Sequence, residues 1–323
     1  MIAILLGSFL FSLSYGTLNL SLNEVLGTLM GSGSNISNFT VLHVRLPRIV
    51  AASIVAIALS TSSVLLQSVT RNELADSGII GINSGAALAV VIYICGSGKN
   101  YTDDLGPFAP YVIPFIALLG AIVTGIIVYA LSYKNGVNPI RLVLTGIGIN
   151  AGLAALITYF QLTASRGDYN QVLTWTNGSL WGSNWKYIRI AAPIILILVL
   201  ICIWKSKSID LLDLGDGVSI GLGLQPEKER RSLLIISVML AGTATAIAGN
   251  ISFLGLLSSH IAKRICGPKH MCQIPLAAII SSIIVILADA FSRNLFSPLE
   301  IPVGITISLI GVPYFIYLML KEK

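Results

Sequence analysis

The sequence is short of charged residues and has no long polar segment. Only 11% of its 323 residues are Asp, Glu, Lys or Arg, and 55% are hydrophobic. A typical soluble domain carries about 25% charged residues, so this composition argues against a soluble protein. With a mean hydropathy of +0.86, the chain is predicted to be an integral membrane protein. Its net charge of +6 then needs no nucleic-acid partner to explain it.

Cysteine and histidine are also scarce, and neither forms a recognisable binding pattern. The four cysteines lack the spacing of a zinc site or a disulfide framework. The three histidines, His43, His260 and His270, are far apart in the sequence. We therefore predict no metal site and no catalytic cluster.

Two glycine motifs resemble nucleotide-binding loops but lack essential features. Gly96–Asn100 looks like the end of a phosphate-binding loop, yet Tyr93 stands in place of the earlier glycine, and Asn100 stands where Ser or Thr would bind magnesium. Gly146–Ala151 mimics a dinucleotide fingerprint, but it lies within an apolar run with no soluble strand before it. The chain is therefore predicted not to hydrolyse ATP and not to be an enzyme.

Pairs of glycines one helical turn apart are instead interpreted as packing sites. Gly81 and Gly85 form one pair, and Gly148 and Gly152 form another. Small residues at this spacing let helix backbones approach closely within a membrane. Each pair is predicted to lie against a neighbouring helix.

Uncharged runs of membrane-crossing length recur along the chain. A spanning helix needs about 20 apolar residues, and we predict ten spans, of which the eighth is short enough to be a half-helix. No polar stretch is long enough for a second domain, so residues 1–323 are predicted to form a single transmembrane domain. The predicted spans are 2–20, 46–67, 79–96, 108–132, 140–162, 187–204, 231–250, 254–266, 273–292 and 301–320.

Basic residues are distributed unevenly between the two sides of the predicted bundle. If both termini are cytoplasmic, thirteen of the twenty Lys and Arg residues lie on the cytoplasmic side, in agreement with the positive-inside rule. This distribution predicts a multi-pass protein of the cell membrane with both termini inside. Arg45 and Arg48 then lie outside, against the rule, which marks them as candidates for a separate role.

The polar segment between the sixth and seventh predicted spans has an unusual composition. Leucines at near-helical intervals, acidic residues and glycines alternate over about residues 208–226, which favours two short amphipathic helices with an exposed apolar edge. Exposed apolar patches usually mark interaction surfaces, so the segment is a candidate docking site for a cytoplasmic protein. A plain connecting loop at the membrane interface is an equally good interpretation of these residues alone.

A series of motifs follows one another in a distinctive order from about residue 45 to residue 320. They are Arg45–Arg48, Thr70–Ala86, Ala248–His260, Gly267–His270, Leu287–Asp289, Leu299–Thr306 and Gly311–Phe315. This order resembles the FecCD-like permease family, the membrane subunits of ATP-driven importers of iron chelates and cobalamin. The resemblance implies an all-α ABC type II importer permease with about ten transmembrane helices in inverted repeats.

The resemblance also implies which residues act. Arg45, Arg48 and Arg293 match arginines that hold carboxylates of an extracytoplasmic binding protein, a task that suits the planar guanidinium group; anchoring to lipid phosphates is the alternative. The turn Asn138-Pro139-Ile140 matches the cytoplasmic gate of relatives. The positions that match ATPase-coupling helices are Leu212, Asp213, Leu214, Gly215, Asp216, Leu222, Gly223 and Leu224.

The protein implied by the resemblance is the permease subunit of an importer of iron–siderophore complexes, with heme and cobalamin as alternative cargoes. Its expected partners are two separate ATPase subunits that bind ATP and magnesium, an identical or homologous second permease, and a binding protein that is lipid-anchored in Gram-positive organisms. No cofactor is expected on this chain. An ion-coupled secondary transporter would need charged pairs deep in its spans, and a membrane enzyme would need a polar catalytic cluster; neither pattern is evident.

Overall fold

The computed structural model of the protein describes residues 1–16, 18–96, 109–134, 136–295 and 300–321. Within these ranges the regular structure is helical, apart from an isolated bridge between Tyr133 and Val137. Residues 97–100 of the motif that resembles a phosphate-binding loop lie outside the described residues. A π-helical turn, Phe39–Arg45, leads into α4. The helices are α1 (Ile2–Ser14), α2 (Leu22–Leu29), α3 (Asn35–Asn38), α4 (Leu46–Thr70), α5 (Ile82–Gly96), α6 (Ala109–Ser132), α7 (Pro139–Thr163), α8 (Arg166–Asn177), α9 (Trp185–Trp204), α10 (Ser206–Asp213), α11 (Asp216–Gly221), α12 (Pro226–Ala248), α13 (Leu254–Cys266), α14 (His270–Asn294) and α15 (Val303–Lys321).

The helices confirm the predicted all-α membrane class. Among the described residues, seven helical segments are long and apolar enough to cross a membrane, and they contain α4, α6, α7, α9, α12, α14 and α15. Helices α1 and α5 are apolar but shorter, and α13 has 13 residues. Each of the ten predicted spans therefore contains a helix.

Several span boundaries differ from the prediction by three or more residues, and three of them have a local cause. The first helix ends at Ser14 rather than at residue 20, and Arg45 and Arg293 donate hydrogen bonds to its last carbonyl groups. Helix α5 begins at Ile82 rather than at residue 79, because turns occupy the residues before it. Helix α12 begins at Pro226, before the predicted residue 231, since proline is well suited to the first turn of a helix.

Helix α4 forms the centre of the fold. It packs against α12, α13 and α14, and most of its residues are buried. Its middle carries small and hydroxylated side chains, which allow close packing and interhelical hydrogen bonds in a membrane. The Ser62 hydroxyl donates to the carbonyl of Ser237 on α12 over 3.0 Å, and the Ser281 hydroxyl on α14 donates to the Ala56 carbonyl over 3.0 Å. These two hydrogen bonds join α12 and α14 to the middle of α4.

The pair of helices α4 and α5 runs in the opposite direction to the pair α12 and α13. In each pair a long helix is followed by a connection and then by a helix of 15 or 13 residues. The connections meet, because the Asn83 amide donates to the Ile251 carbonyl over 3.0 Å. Ser63, which bonds Asp76 in the first connection, lies seven residues before the end of α4, or about 10 Å along the helix. Both short helices therefore begin inside the membrane-spanning region.

The contacts of α4 distinguish the two sides of the bundle. At its C-terminal end, Arg71 contacts α11, and near its start Arg48 contacts the end of α14. We call these the α11 side and the arginine side. Helix α7 extends between the two sides with most of its surface exposed.

Candidate functional site

Helices α10 and α11 form a two-helix segment on the α11 side, which confirms the prediction of two short helices there. Ile209 and Leu212 are fully buried against the bundle. Leu214 is 60% exposed, and three further apolar side chains of the segment are exposed to a similar degree. These are Val218, Ile220 and Leu222. Of the predicted coupling leucines, Leu212 therefore faces inward, whereas Leu214 and Leu222 contribute to an apolar edge that faces away from the bundle.

Two glycines shape this segment. Gly215, between the two helices, has φ +103°, and Gly223, just after α11, has φ +84°, a region that glycine adopts without strain. Asp213 ends α10, and desolvation raises the pKa of its carboxyl. Leu224 is half-buried where the chain turns toward α12. These predicted coupling residues therefore set the course of the chain around the apolar edge.

Asp216 fastens α11 to two long helices. Its carboxylate accepts hydrogen bonds from Arg71, which follows α4, and from Arg230 on α12, whose Nη1 lies 3.1 Å from Oδ2. The hydrogen bonds from Arg230, with the charges of both arginines, hold the pKa of the Asp216 carboxyl below its usual value of 3.8. Since a depressed pKa favours the ionised form, these contacts persist at neutral pH and weaken only when the pH falls below that value.

The predicted gate turn lies beside Asp216. Asn138 caps α7 by accepting a hydrogen bond from a backbone N–H of the first turn over 3.1 Å, and Pro139 is the first residue of that helix. Ile140 is exposed. A cleft of about 400 Å³ is lined by Asn138 and Pro139 from the turn and by Asp216 and Ile220 from α11. The gate turn and the two-helix segment, which were predicted separately, thus share one cleft.

Two of the predicted docking arginines hold the end of α1. Arg45 is 3% exposed and donates hydrogen bonds to the carbonyl groups of Leu13 and Ser14, the second over 3.2 Å. Arg293 Nη2 lies 3.0 Å from Ser12 Oγ. Cations near the last carbonyl groups of a helix are favourable because they complement the helix dipole. Both guanidinium groups therefore donate hydrogen bonds to partners within the chain.

Arg48 occupies the centre of an ion network on the arginine side. Its Nε lies 2.9 Å from Asp289 Oδ1, and its Nη1 lies 2.9 Å from Glu300 Oε2. Arg293 Nε lies 3.3 Å from the second Asp289 oxygen. A buried charge is costly unless it is paired, and this network pairs charges on α4, α14 and the residues before α15. For any of the three arginines to bind a partner, the partner's carboxylate must displace an internal contact, and the docking role stays a prediction.

Asp76 is a buried acid that the sequence reasoning missed. It lies between α4 and α5 and accepts hydrogen bonds from the Ser63 hydroxyl and, over 3.2 Å, from the Gly78 N–H. The backbone of Phe253, just before α13, also lies near this carboxyl. Asp76 is a single acid, and Arg48 and Asp289 lie near helix ends, so the expectation that no charged pair lies deep in the spans stays a prediction. The available signal was an acid followed by small and apolar residues in the connection between two predicted spans.

The two predicted glycine pairs differ in their surroundings. A Cβ atom added at Gly85 would meet α6, and one added at Gly81 would meet the backbone of α7. Both residues therefore allow close approach of helices. No neighbouring atom lies within 4 Å of a Cβ added at Gly148 or Gly152. Both lie on the exposed face of α7, where no other helix of this chain covers them, and their packing against a neighbouring helix stays a prediction.

The three histidines lie in separate environments. His260 Nδ1 is 2.6 Å from the Tyr314 hydroxyl, His43 lies against the Phe39 ring, and His270 is buried beneath α10. Within the part of the chain that the structure describes, no group of three His, Cys, Asp or Glu side chains could hold a metal ion. The three histidines therefore do not share a site.

The chain is similar to known proteins over nearly its whole length. A sequence model of the FecCD transport family matches residues 4–321. The iron(3+)-hydroxamate import system permease protein FhuG of Bacillus subtilis is 44% identical over 315 residues, which cover 98% of this chain and 94% of FhuG. The ferric enterobactin transport system permease protein FepG of Escherichia coli is 33% identical over 315 residues, which cover 97% of this chain and 92% of FepG.

Solved structures resemble the fold as well. A chain described as a metal-chelate type ABC transporter in an inward-facing conformation matches with a TM-score of 0.86 at 26% identity, covering 99% of this chain and 97% of that one. A chain of PsaBC from Streptococcus pneumoniae matches with a TM-score of 0.61 at 13% identity. The second likeness concerns the fold alone.

Proposed function

Because the chain belongs to the FecCD transport family, we propose that it is the permease subunit of an ATP-driven importer of ferric siderophores. It is a multi-pass membrane protein, and ATP hydrolysis belongs to a separate subunit. The arginine side faces outward and the α11 side faces the cytoplasm, in keeping with the bias of basic residues. Both chain termini are then cytoplasmic.

The observation that carries this proposal is the arrangement around the cleft on the α11 side. An apolar edge that includes Leu214 and Leu222 is exposed on a segment fastened by Asp216 to α4 and α12. The start of α7 forms the opposite wall of the same cleft. A protein bound to the edge could therefore move the segment and the gate turn together.

This arrangement supports a mechanism in which ATPase subunits drive alternating access. The ATPase dimer binds the apolar edges of two permeases and changes their separation as it binds and hydrolyses ATP. Asp216 transmits the displacement to Arg71 and Arg230. The residues that line the cleft transmit it to the turn Asn138-Pro139-Ile140. Since α7 exposes most of its surface, its displacement opens or closes a pathway between this chain and a second permease.

The exposed faces of the bundle indicate where the other partners bind. Gly148 and Gly152 leave an open surface on α7, which suits either the pathway or close packing of a second, identical or homologous, permease. The extracytoplasmic binding protein docks on the arginine side and delivers the siderophore there. Its carboxylates compete with Asp289, Glu300 and the end of α1 for Arg48, Arg293 and Arg45.

The choice of cargo is supported by the relatives. The 44% identical FhuG belongs to an iron(3+)-hydroxamate import system, and FepG to a ferric enterobactin transport system. Both cargoes are ferric chelates, which favours a ferric siderophore over heme or cobalamin. The hydroxamate class comes first because its permease is the more similar of the two.

The experiment that tests this function is uptake by liposomes that contain the permease with its co-purified ATPase and binding protein. We expect a ferric hydroxamate labelled with radioactive iron to accumulate only with ATP and magnesium, and an ATPase variant unable to hydrolyse ATP to abolish uptake. Excess unlabelled ferric hydroxamate should compete, whereas heme and cobalamin should not. Uptake that follows an ion gradient without ATP would contradict the proposal and favour a secondary transporter.

A further inference from the structure

His270 is a buried polar residue on the α11 side that the proposed mechanism does not yet use. It is the first residue of α14, and its side chain is 3% exposed. Its Nδ1 lies 2.6 Å from Asp210 Oδ1, and its Nε2 lies 2.8 Å from the Ser68 hydroxyl. One imidazole ring therefore joins α10, α4 and α14.

Asp210 makes this contact stronger than a single hydrogen bond. The same oxygen, Oδ1, also accepts the backbone N–H of His270 over 2.9 Å. This N–H belongs to the first turn of α14, where the helix leaves donors without partners and where a carboxylate is favourable. Asp210 thus bonds both the side chain and the backbone of His270.

Besides the buried side chains of Ile209 and Leu212, two separated carboxylates hold the two-helix segment on the bundle. Asp216 at the start of α11 bonds Arg71 and Arg230, and Asp210 in the middle of α10 bonds His270. The exposed leucines Leu214 and Leu222 follow these two points along the chain. A segment that is attached at one point can rotate about that point when a bound protein pushes on it. A segment attached at two points instead transmits both the size and the direction of the displacement.

We propose that His270 is a positioning residue that fastens α10 to α4 and α14, so that a displacement of the two-helix segment becomes a displacement of these membrane helices. The geometry assigns Nδ1 to the Asp210 carboxylate and Nε2 to the Ser68 hydroxyl. The proposal rests on the proposed function, because it specifies how the ATPase-facing segment is connected to the bundle. The fastening itself can be measured without the ATPase.

The test compares four variants of the full chain in lipid nanodiscs and in the reconstituted importer. His270→Ala removes both side-chain contacts, His270→Asn keeps a donor close to the position of Nδ1, and His270→Gln keeps one close to the position of Nε2. Lys269→Ala, an exposed neighbour, is the matched control. The measurements are amide hydrogen exchange of residues 206–213 in the nanodiscs and siderophore taken up per ATP hydrolysed in the importer.

We expect His270→Ala to accelerate exchange of α10 about tenfold, since it removes a hydrogen bond to a charged group, while ATPase subunits still co-purify. Uptake per ATP should fall at least about twofold, as expected when a contact that carries coupling is lost. His270→Asn should restore most of the wild-type exchange rate and uptake per ATP. His270→Gln should resemble His270→Ala, and Lys269→Ala should resemble the wild type.

Two results would overturn the proposal. One is a His270→Ala chain whose α10 exchange and uptake per ATP equal those of the wild type. The other is a His270→Asn chain as defective as His270→Gln, which remains decisive if the alanine variant does not fold. Failure of the wild-type chain to bind any ATPase would instead refute the proposed function, and the exchange measurement would still decide whether His270 holds α10.

Discussion

At the scale of single residues, this protein uses buried charge to join segments that are distant in sequence. Arg48 and Asp289 are separated by 241 positions and lie 2.9 Å apart. Asp76 instead accepts hydrogen bonds from the Ser63 hydroxyl on α4 and from the Gly78 N–H before α5. An acid or base near the membrane interior persists only where partners replace the water it loses. The buried ionisable side chains therefore mark the junctions of the fold.

Asp76→Asn is predicted to destabilise the junction between the two short helices. The carboxylate accepts from the Ser63 hydroxyl and the Gly78 N–H, whereas an amide would place its own NH₂ group against such donors. Leaving buried donors unpaired costs about 1–3 kcal/mol each. Thermal unfolding of the purified chain in detergent should show this loss, with a smaller effect for Ser63→Ala, which removes a single donor. An Asp76→Asn chain as stable as the wild type would show that the carboxyl is not held as an anion.

Glu300→Gln is predicted to strengthen docking of the binding protein. Glu300 is partly exposed and holds Arg48 Nη1 at 2.9 Å, so neutralising it frees part of the guanidinium for an incoming carboxylate. The affinity should rise about two- to fivefold at low salt and less at high salt, because exposed charge interactions are screened. Binding of the purified binding protein to nanodiscs measures this change, with Glu24→Gln as the control on an exposed acid of α2. Unchanged affinity would remove Arg48 from the docking surface.

These residue-level contacts could be predicted only in part from the sequence. The two arginines that oppose the positive-inside rule were recognised as unusual, and the structure gives each of them specific partners. Those partners could not be predicted, because Asp289 and the carbonyl groups of α1 approach the arginines only after helices distant in sequence have packed together. Asp76 was missed because its donor Ser63 lies inside an apolar predicted span that gives no sign of pairing with the connection after it.

At the scale of helices, hydropathy predicted which segments are helical better than it predicted where each helix begins and ends. All ten predicted spans contain helices because an apolar run in a membrane must satisfy its backbone internally. Their ends depend on local contacts that hydropathy does not record, such as the arginines at the end of α1 and Pro226 at the start of α12. The glycine pattern was ambiguous in the same way, because Gly85 meets α6 whereas Gly148 lies on an open surface.

The apolar edge of the two-helix segment is predicted to bind the ATPase directly. Leu214→Asp combined with Leu222→Asp should leave folding nearly unchanged, since both side chains are exposed and surface substitutions usually stay within about 0.5 kcal/mol. Recovery of the ATPase with the permease should nevertheless fall at least about tenfold, because two apolar contacts of the interface would become charges. Leu22→Asp, at an exposed leucine of α2, is the matched control and should bind normally.

Replacing Leu212, the buried leucine of the same segment, should have a different effect from replacing the exposed leucines that are predicted to contact the ATPase. Leu212→Asp should unfold or destabilise the segment by several kcal/mol, about the cost of burying an unpaired charge, and should therefore lower expression rather than only ATPase binding. Normal ATPase binding by the chain with both exposed leucines replaced would place the ATPase contact elsewhere on the α11 side.

At the scale of the whole molecule, the chain is a bundle with two specialised sides and a largely exposed helix between them. The arginine side is held by buried ion pairs, and the α11 side combines an apolar edge, two fastened acids and a cleft. The order of motifs along the sequence predicted this family and class, since it reflects the succession of helices and turns. The connection between the gate turn and the two-helix segment emerged only from the structure, because Pro139 and Asp216 are brought to one cleft by packing.

The most direct measurement is mild-detergent purification of the tagged chain from native membranes, followed by mass spectrometry of the intact complex. We predict recovery of two ATP-binding subunits with two permeases, and the masses will show whether the second permease is identical or homologous. The complex should lose its ATPase subunits when Leu214 and Leu222 are both replaced by Asp. Recovery of the chain alone, in a form that still transports its substrate, would contradict the account and identify a transporter that works without ATP.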